Sequence, residues 1–163
     1  TKDYPNIPEL VENMFETMYH ADGVGLAAPQ VGLPIRVLVI DLAPFKDEDP
    51  ELGSFKVAMI NPTMIELSED KVPGEEGCLS IPGIHESVLR SEKIKIQYVD
   101  ADFNEHIEEF EGYKARVVQH EYDHLEGTLF TDKVSPIRRQ FIKTKINNII
   151  KGKTRTSYKI KKA

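Results

Sequence analysis

The stretch VVQHEYDHLEG, residues 117–127, places two histidines four positions apart and a glutamate directly after the first of them. On a helix this spacing puts His120 and His124 on one face, so both imidazoles can reach a single metal ion. Glu121 then lies close enough to handle a proton of water at that metal. H-E-x-x-H is a short pattern, and a helix whose histidines are only hydrogen-bonded explains it equally well on its own.

A catalytic site of this kind needs a third protein ligand and an open position for water. No histidine follows His124, whereas the only cysteine, Cys78, lies upstream in the tight stretch GEEGCLSIPG (74–83). As a thiolate, Cys78 is a candidate ligand, and the backbone N–H of Leu79 would point near the same site. The simpler interpretation of a lone cysteine is a small buried hydrophobic residue.

A third stretch, GVGLAAPQVG (23–32), resembles the dinucleotide fingerprint G-x-G-x-x-A at first sight. That motif needs a strand before it and a helix after it, whereas here a helix is predicted before it and a strand after it, so we reject it. Its small residues permit close approach of the backbone to another element or to a substrate. Gln30 can offer an amide N–H to a developing oxyanion, although a tight connection is the commoner role of such a segment.

The remaining pattern predicts strands placed between helices. Helices are expected at 6–23, 113–125 and 136–150, the last beginning with Pro136 in its first turn. Apolar or alternating runs predict strands at 34–42, 55–62, 63–69, 92–100 and 107–112. The predicted apolar stripe of the last helix runs through Ile137, Phe141, Lys145, Ile146, Ile149 and Ile150. We therefore expect an α+β fold, with mostly antiparallel sheets packed around a central metal-binding helix and with a C-terminal helix.

Length and composition favour one domain over residues 1–163. The chain has 163 residues and 40% hydrophobic content, enough for one sizeable core. A single cysteine cannot form an internal disulfide, which favours a reducing compartment such as the cytoplasm. No run of 18 apolar residues is present, and we expect no membrane partner. Because the sequence starts at Thr1, we expect that a native N-terminal segment precedes it.

The net charge of −6 conceals a strong asymmetry. All 27 Asp and Glu residues lie at or before Asp132, while residues 133–163 carry 11 Lys and Arg, so the two parts have charges of −17 and +11. Residues 152–163 are expected to form a basic, flexible tail. A solvated helix face and frayed tail explain this charge most simply, with an anionic partner as the alternative. Tyr158 is the only aromatic residue of the tail, so we expect no DNA binding.

Three motifs, taken together in this order and spacing, resemble the signature of the peptide deformylases. Gly23–Gln30 matches G-x-G-x-A-A-x-Q, Glu76–Ser80 matches E-G-C-x-S, and Gln119–His124 matches Q-H-E-x-D-H. The likeness extends over about residues 10–140. It favours metal ligation by the two histidines over the alternative of an ordinary helix.

The resemblance implies a metallohydrolase that removes the N-formyl group from N-formylmethionyl nascent polypeptides and releases formate. Cys78, His120 and His124 would hold one divalent metal, with a water in the fourth position. Glu121 would act as general base and then general acid, while Gln30 and Leu79 stabilise the oxygen of the tetrahedral intermediate. Fe(II) is the expected physiological metal, with Zn(II), Ni(II) or Co(II) possible in preparations.

The resemblance also suggests the surroundings of the site. The expected substrate-binding residues are Val24, Gly25, Gly83, Ile84, Tyr113 and Val117. Glu76 and Arg90 are expected to form an ion pair that fixes the Cys78 loop, and Asp123 is expected to orient a ligand histidine. Family members usually carry roughly twenty further residues before the first helix, by analogy.

Partners follow from the same resemblance. We expect N-formylmethionyl peptides as substrate, a ribosome contact through the basic C-terminal segment, and a monomer in a bacterial-type cytoplasm. Two alternatives stay open. One is an endopeptidase or another amidase that uses the same helix motif. The other is a non-enzymatic module with a closed metal site, which would have to enlist His20, His85 or His106.

Overall fold

The computed structural model describes residues 3–159, so Thr1, Lys2 and the last four residues of the predicted basic tail lie outside it. The helices are α1 (Ile7–His20), the short α2 (Pro50–Gly53), α3 (Gly112–Leu125) and α4 (Pro136–Ile150). The strands are β1 (Gly25–Ala27), β2 (Val37–Asp41), β3 (Lys56–Leu67), β4 (Lys71–Cys78), β5 (Ile81–Ser91), β6 (Lys93–Val99) and β7 (Glu105–Glu111). Short 3₁₀ turns occur at Ala28–Val31, Ala43–Phe45 and Phe130–Asp132.

The strands form two antiparallel sheets. Five of them pair in the order β1-β2-β3-β6-β7, and β4 pairs with β5 in a separate hairpin. Every pairing in the described residues is antiparallel. The predicted α+β class, with mostly antiparallel sheets around a central helix, is confirmed. None of the helices in this part of the chain has the length and hydrophobicity that crossing a bilayer requires.

Strand β2 is buried on both faces and separates two parts of the core. Val37 and Val39 pack with Met18 of α1, whereas Leu38 and Ile40 pack in the cluster that contains Val117 and Val118 of α3. Alternate residues of a strand point to opposite faces, so α1 and α3 cover opposite sides of the sheet. The continuous apolar run of β2 is the sequence signature of such two-sided burial.

The structure differs from the predicted strands in two places. The stretches 55–62 and 63–69 belong to one strand, β3, whose register with β6 shifts between Ile60 and Thr63, next to Pro62. Proline cannot donate to a ladder, so the prediction divided the strand there. Strands β1, β4 and β5 were not predicted. In β5 the buried positions alternate regularly, but they include the charged residues Glu86 and Arg90. The sequence therefore lacks the alternation of apolar and polar residues that predicts a strand.

The predicted apolar stripe of α4 was partly wrong, because it includes Ile146 and Ile149, which pack against the core, but also Ile137 and Phe141, which are exposed. Ile142, which the stripe omits, is the buried residue of this helix among the described residues, and Ile146 and Ile149 pack partly beside it. Ile137 and Phe141 are each 72% exposed. The helix carries apolar residues around much of its circumference, so their spacing alone did not identify the face that contacts the β4–β5 hairpin.

Candidate metal centre

Helix α3 lies between the five-stranded sheet and the β4–β5 hairpin, and it buries polar residues on the hairpin side. Ala115 and Val118 face the sheet cluster. Gln119 donates to the carbonyl of Ser91 at 2.9 Å and accepts from the same residue's N–H at 3.2 Å, which ties the helix to the end of β5. The hairpin and the site supply hydrogen-bond partners for four of the five buried polar side chains of this helix, namely Arg116, Gln119, His120 and His124.

Three potential ligand atoms converge where α3 meets the hairpin. Cys78 ends β4 and pairs with Ile81 across a two-residue turn, which places its thiol above the helix. Its Sγ lies 3.2 Å from Nε2 of His124, and the ligand atoms of Cys78, His120 and His124 all lie within 4.8 Å of one another. One thiolate and two imidazoles suit zinc, iron, cobalt or nickel.

The group of potential ligands consists of three protein residues. Within residues 3–159, no further histidine, cysteine or carboxylate joins these three as a fourth ligand, and His20, His85 and His106 lie outside the group. Three protein ligands leave a coordination position for water or substrate, as catalytic sites do, whereas structural sites are usually closed by four.

Glu76 orients one of the two histidines. Its Oε1 accepts hydrogen bonds from Nδ1 of His120 at 2.8 Å and from Nη2 of Arg90 at 2.8 Å. Its Oε2 accepts a hydrogen bond from Nε of Arg90 at 2.9 Å. Burial alone would raise the pKa of Glu76, but the hydrogen bonds from Arg90 and His120 outweigh burial and lower it to about 2. A carboxylate that holds Nδ1 leaves Nε2 of His120 as the ligand atom.

The two histidines differ in their proton affinity. Burial would lower the pKa of His120, but hydrogen bonds to Cys78 and Glu76 outweigh burial and raise it to about 10. Burial lowers the pKa of His124 to about 4, with the nearby charge of His120 acting in the same direction. A metal ion that binds here has to displace the proton of His120, so metal binding releases a proton.

Asp123 lies beside the site but has other partners. Its carboxylate accepts from Arg90 and, at 3.0 Å, from Nζ of Lys133. The carboxylate that binds a ligand histidine is that of Glu76, so the structure does not place Asp123 in the expected position on a histidine ring. Arg90 bridges the two acids and pairs with Glu76 as expected.

Glu121 faces the convergence point with an unused oxygen. Among the buried side chains of the described residues, its Oε2 is the atom without a hydrogen-bond partner. Burial raises the pKa of Glu121 to about 7, which the positive charges of His120 and Arg90 oppose only in part. A Cβ at Gly25 would lie 2.5 Å from Oε1 of Glu121, so only glycine lets β1 approach this carboxylate closely.

Gln30 and Leu79 border the same position. Oε1 of Gln30 accepts from the N–H of Ala27 at 2.8 Å, which turns the amide nitrogen toward the Cys78 turn. That nitrogen lies 2.9 Å from Oγ of Ser80 and 3.4 Å from Sγ of Cys78. Leu79 follows Cys78 directly in the two-residue turn, so its backbone is fixed beside the ligand.

A cleft of about 700 Å³ opens above the three ligand residues. Its walls come from β1, the hairpin and α3. All six predicted substrate-binding residues line it, namely Val24, Gly25, Gly83, Ile84, Tyr113 and Val117. The structure therefore brings the predicted pocket, Gln30, Leu79 and Glu121 together at one opening.

The sequence did not indicate three residues of the site. Arg116 donates to Oε2 of Glu76 at 2.7 Å and to the carbonyls of Val72 at 2.6 Å and Val88 at 2.9 Å. Ser80 was part of a motif but received no role, and Tyr158 lines the cleft from the far end of the chain. An arginine on a helix is usually exposed, so only the hairpin packed over α3 reveals the role of Arg116.

Comparison with known proteins identifies the relatives of this chain. A family model described as polypeptide deformylase matches residues 1–140. A peptide deformylase of Flavobacterium psychrophilum is 51% identical over 168 aligned positions, which cover 99% of this chain and 87% of the relative.

Solved structures give the same result. The crystal structure of peptide deformylase from Thermotoga maritima has a TM-score of 0.73 and 46% identity, covering 83% of this chain and 86% of the other. The peptide deformylase of Plasmodium falciparum has a TM-score of 0.81 and 36% identity, covering 91% and 84%.

Proposed function

Since the chain belongs to the polypeptide deformylase family, whose members remove the N-formyl group of nascent polypeptides, we propose how its own residues carry out this hydrolysis. The observation that carries the proposal is the buried Glu121 carboxylate, which has an unpartnered oxygen beside a converging thiol and two imidazoles. The substrate is an N-formylmethionyl peptide, and the products are formate and a free amine.

Cys78, His120 and His124 are the residues that would hold one divalent metal. Their donor atoms lie close enough together and have the softness that first-row divalent ions prefer. A bound ion supplies the Lewis acidity that makes water nucleophilic near neutral pH. Fe(II) is the proposed physiological ion, and Zn(II), Ni(II) or Co(II) can take its place in preparations.

Glu121 moves the proton. Its carboxylate takes a proton from the attacking water and delivers it to the leaving nitrogen when the C–N bond breaks. Burial raises the pKa of this carboxyl above that of an exposed glutamate, which makes it a stronger base toward the water.

Gln30 and Leu79 stabilise the oxygen that gains charge on the formyl carbon. The Nε2 of Gln30 lies 3.4 Å from Sγ of Cys78, and the N–H of Leu79 belongs to the residue that directly follows Cys78. Removing one donor of this kind typically costs about 3 kcal/mol of transition-state stabilisation. Gly25 keeps the space beside Glu121 small, which admits the hydrogen of a formyl group and excludes the methyl of an acetyl group.

The cleft receives the methionine and the following peptide. Val117, Tyr113 and Ile84 form an apolar wall for the unbranched methionine side chain. The peptide backbone pairs like an added strand beside Val24 and Gly25 of the β1 edge, or beside Gly83 in β5. Glu76 and Arg90 support the site by fixing the Cys78 turn and the ring of His120.

We further propose that residues 1–163 form one catalytic domain that acts as a monomer in a bacterial-type cytoplasm. Its basic segment after Asp132 contacts the ribosome. Deleting residues 152–163 should then reduce salt-sensitive cosedimentation with ribosomes, since phosphate contacts weaken as salt rises. Unchanged cosedimentation would reject a contribution from these residues.

The first experiment measures formate release from a formyl-Met tripeptide by protein purified without oxygen and loaded with Fe(II) or Ni(II). We expect formate release without internal cleavage, and no product from the acetyl-Met analogue. The acetylated peptide is the matched control, because it differs only at the group that is removed. Failure of folded, metal-loaded protein to release formate would overturn the proposal.

A further inference from the structure

The chain after α4 returns to the metal centre. Gly152 has a φ of 64°, its N–H bonds to the carbonyl of Ile149 at 2.9 Å, and the N–H of Lys153 bonds to the carbonyl of Asn148 at 2.9 Å. This is the hydrogen-bond pattern of a Schellman C-cap, in which a left-handed glycine ends the helix and turns the chain. The turn directs residues 153–159 back along the protein.

Residues 153–159 lie against the protein, and their side chains alternate between exposed and partly buried. Thr154, Thr156 and Tyr158 are partly buried, whereas Lys153, Arg155, Ser157 and Lys159 are exposed. An extended segment shows this alternation when one of its faces contacts the protein and the other faces solvent. Thr156 adds a local hydrogen bond from Oγ1 to the carbonyl of Tyr158 at 2.5 Å.

Tyr158 reaches the turn that carries the metal ligand. Its hydroxyl donates to the carbonyl of Leu79 at 2.6 Å, and its side chain lines the cleft. On the other side of the same turn, Gln30 donates to Oγ of Ser80 at 2.9 Å. The two residues between Cys78 and Ile81 are therefore held by hydrogen bonds from two separate parts of the chain.

We propose that Tyr158 is a positioning residue for the deformylation reaction and acts through Leu79. The inference rests on the proposed role of the Leu79 N–H as a donor to the developing oxyanion. The carbonyl and the N–H of Leu79 belong to adjacent peptide units, so a hydrogen bond that fixes the carbonyl restricts the direction in which the N–H points. Catalysis depends steeply on such orientation, because misplacement by about 1 Å can cost about 100-fold in rate.

The test compares Tyr158→Phe with Ser157→Ala. The first variant loses only the hydroxyl that contacts Leu79, and the second loses a hydroxyl from the exposed face of the same segment. We expect Tyr158→Phe to lower kcat for a formyl-Met tripeptide about fivefold, the factor that corresponds to one ordinary hydrogen bond. KM and Tm should change little, and Ser157→Ala should match the wild type.

The outcomes separate this inference from the proposed function. Wild-type protein that releases no formate would count against the proposed function itself. Active wild-type protein with an unchanged or raised kcat in Tyr158→Phe, whatever the change in KM, overturns the positioning role. A fall in kcat at constant KM and constant Tm supports it, since a merely structural contact would lower Tm first.

Discussion

Helices α3 and α4 have nearly the same length but opposite environments. The 14 residues of α3 include eight buried positions, five of them polar or charged. The 15 residues of α4 include only Ile142 as a buried residue within the described chain. Helix α3 is covered by the sheet on one side and by the hairpin on the other, whereas α4 contacts the hairpin on one side. Cover by neighbouring elements, rather than apolar content, therefore decides burial here.

The energetic basis of the two environments also differs. A buried charge is tolerated only when it is paired and hydrogen-bonded, and Glu76 meets this condition through bonds from Arg90, Arg116 and His120. Helix α4 attaches through one cluster of apolar contacts and two ion pairs, one between Arg138 and the buried Glu86 at 2.9 Å and one between Arg139 and Asp132 at 3.6 Å. Substitutions in α3 are therefore expected to affect chemistry and metal binding, and substitutions in α4 mainly stability.

The largest expected effect comes from Glu121→Gln on α3. The amide has nearly the same shape but cannot accept the water's proton, so kcat should fall about 1,000-fold. Metal content and Tm should stay close to those of the wild type, because Oε2 has no partner to lose. Phe141→Ala on α4 is the control and should leave kcat unchanged. A kcat within tenfold of the wild type would remove Glu121 from the proposed role.

The next effect concerns stability at acid pH. The pKa of Glu76 is about 2 in the folded protein and its ordinary value is 4.5. A carboxyl group with a lowered folded pKa stabilises the fold above its unfolded pKa and loses this contribution as pH falls toward 2. The difference corresponds to about 3 kcal/mol. Urea unfolding of the metal-free protein from pH 5 down to about pH 2.5 should show most of this loss, and Glu76→Gln should flatten the slope over that range. An equal slope in both proteins would contradict the assignment.

A smaller effect is expected from Arg116→Met, which removes one support of Glu76 and three hydrogen bonds to the hairpin backbone. Arg116 supports Glu76, which in turn orients the ligand His120. Loss of a residue that orients a metal ligand typically costs about 10- to 100-fold in metal affinity, and we expect a loss toward the lower end of this range. Competition with a chelator measures this change directly. Arg139→Met on α4 is the matched control, since the Arg139 side chain is half exposed and, among residues 3–159, contacts the carbonyl of Thr131 and the carboxylate of Asp132, away from the site. Equal affinity in both variants would break the distinction between the helices.

The smallest effects are expected within α4 itself. Ile142 is 3% exposed, so Ile142→Ala should lower the free energy of unfolding by about 2 kcal/mol. Phe141 is 72% exposed, so Phe141→Ala should change it by less than about 0.5 kcal/mol. Chemical denaturation of the two variants tests which face of α4 is packed. A larger loss for Phe141→Ala would show that an additional element covers that face.

Much of the site was predictable because its motifs are local. Helix α3 was predicted at 113–125 and runs from Gly112 to Leu125. The family match confirms the predicted family, the enzyme class and the deformylation of nascent peptides. The convergence of Cys78 with the two histidines agrees with the predicted ligand set in geometry, while the roles of the individual residues remain proposals.

The hairpin was the main failure of the sequence-based prediction, and its cause is physical. Strand β5 buries Glu86 and Arg90 at positions where an alternating pattern is expected to carry apolar residues. These side chains are buried because partners from other elements satisfy them, and the partners lie 14 to 52 residues away. A local pattern carries no information about such partners.

The sequence by itself determined the family and the ligand spacing on α3. It also determined the buried strand β2, because helical geometry and strand alternation act over a few residues. Only the tertiary structure decided that Glu76 orients His120, that Arg116 supports Glu76, and that Tyr158 reaches Leu79. These contacts join residues 40 to 79 positions apart, so they depend on how the hairpin, the helices and the returning chain pack together. Packing of distant elements is set by the whole fold, and the spacing within one segment does not specify it.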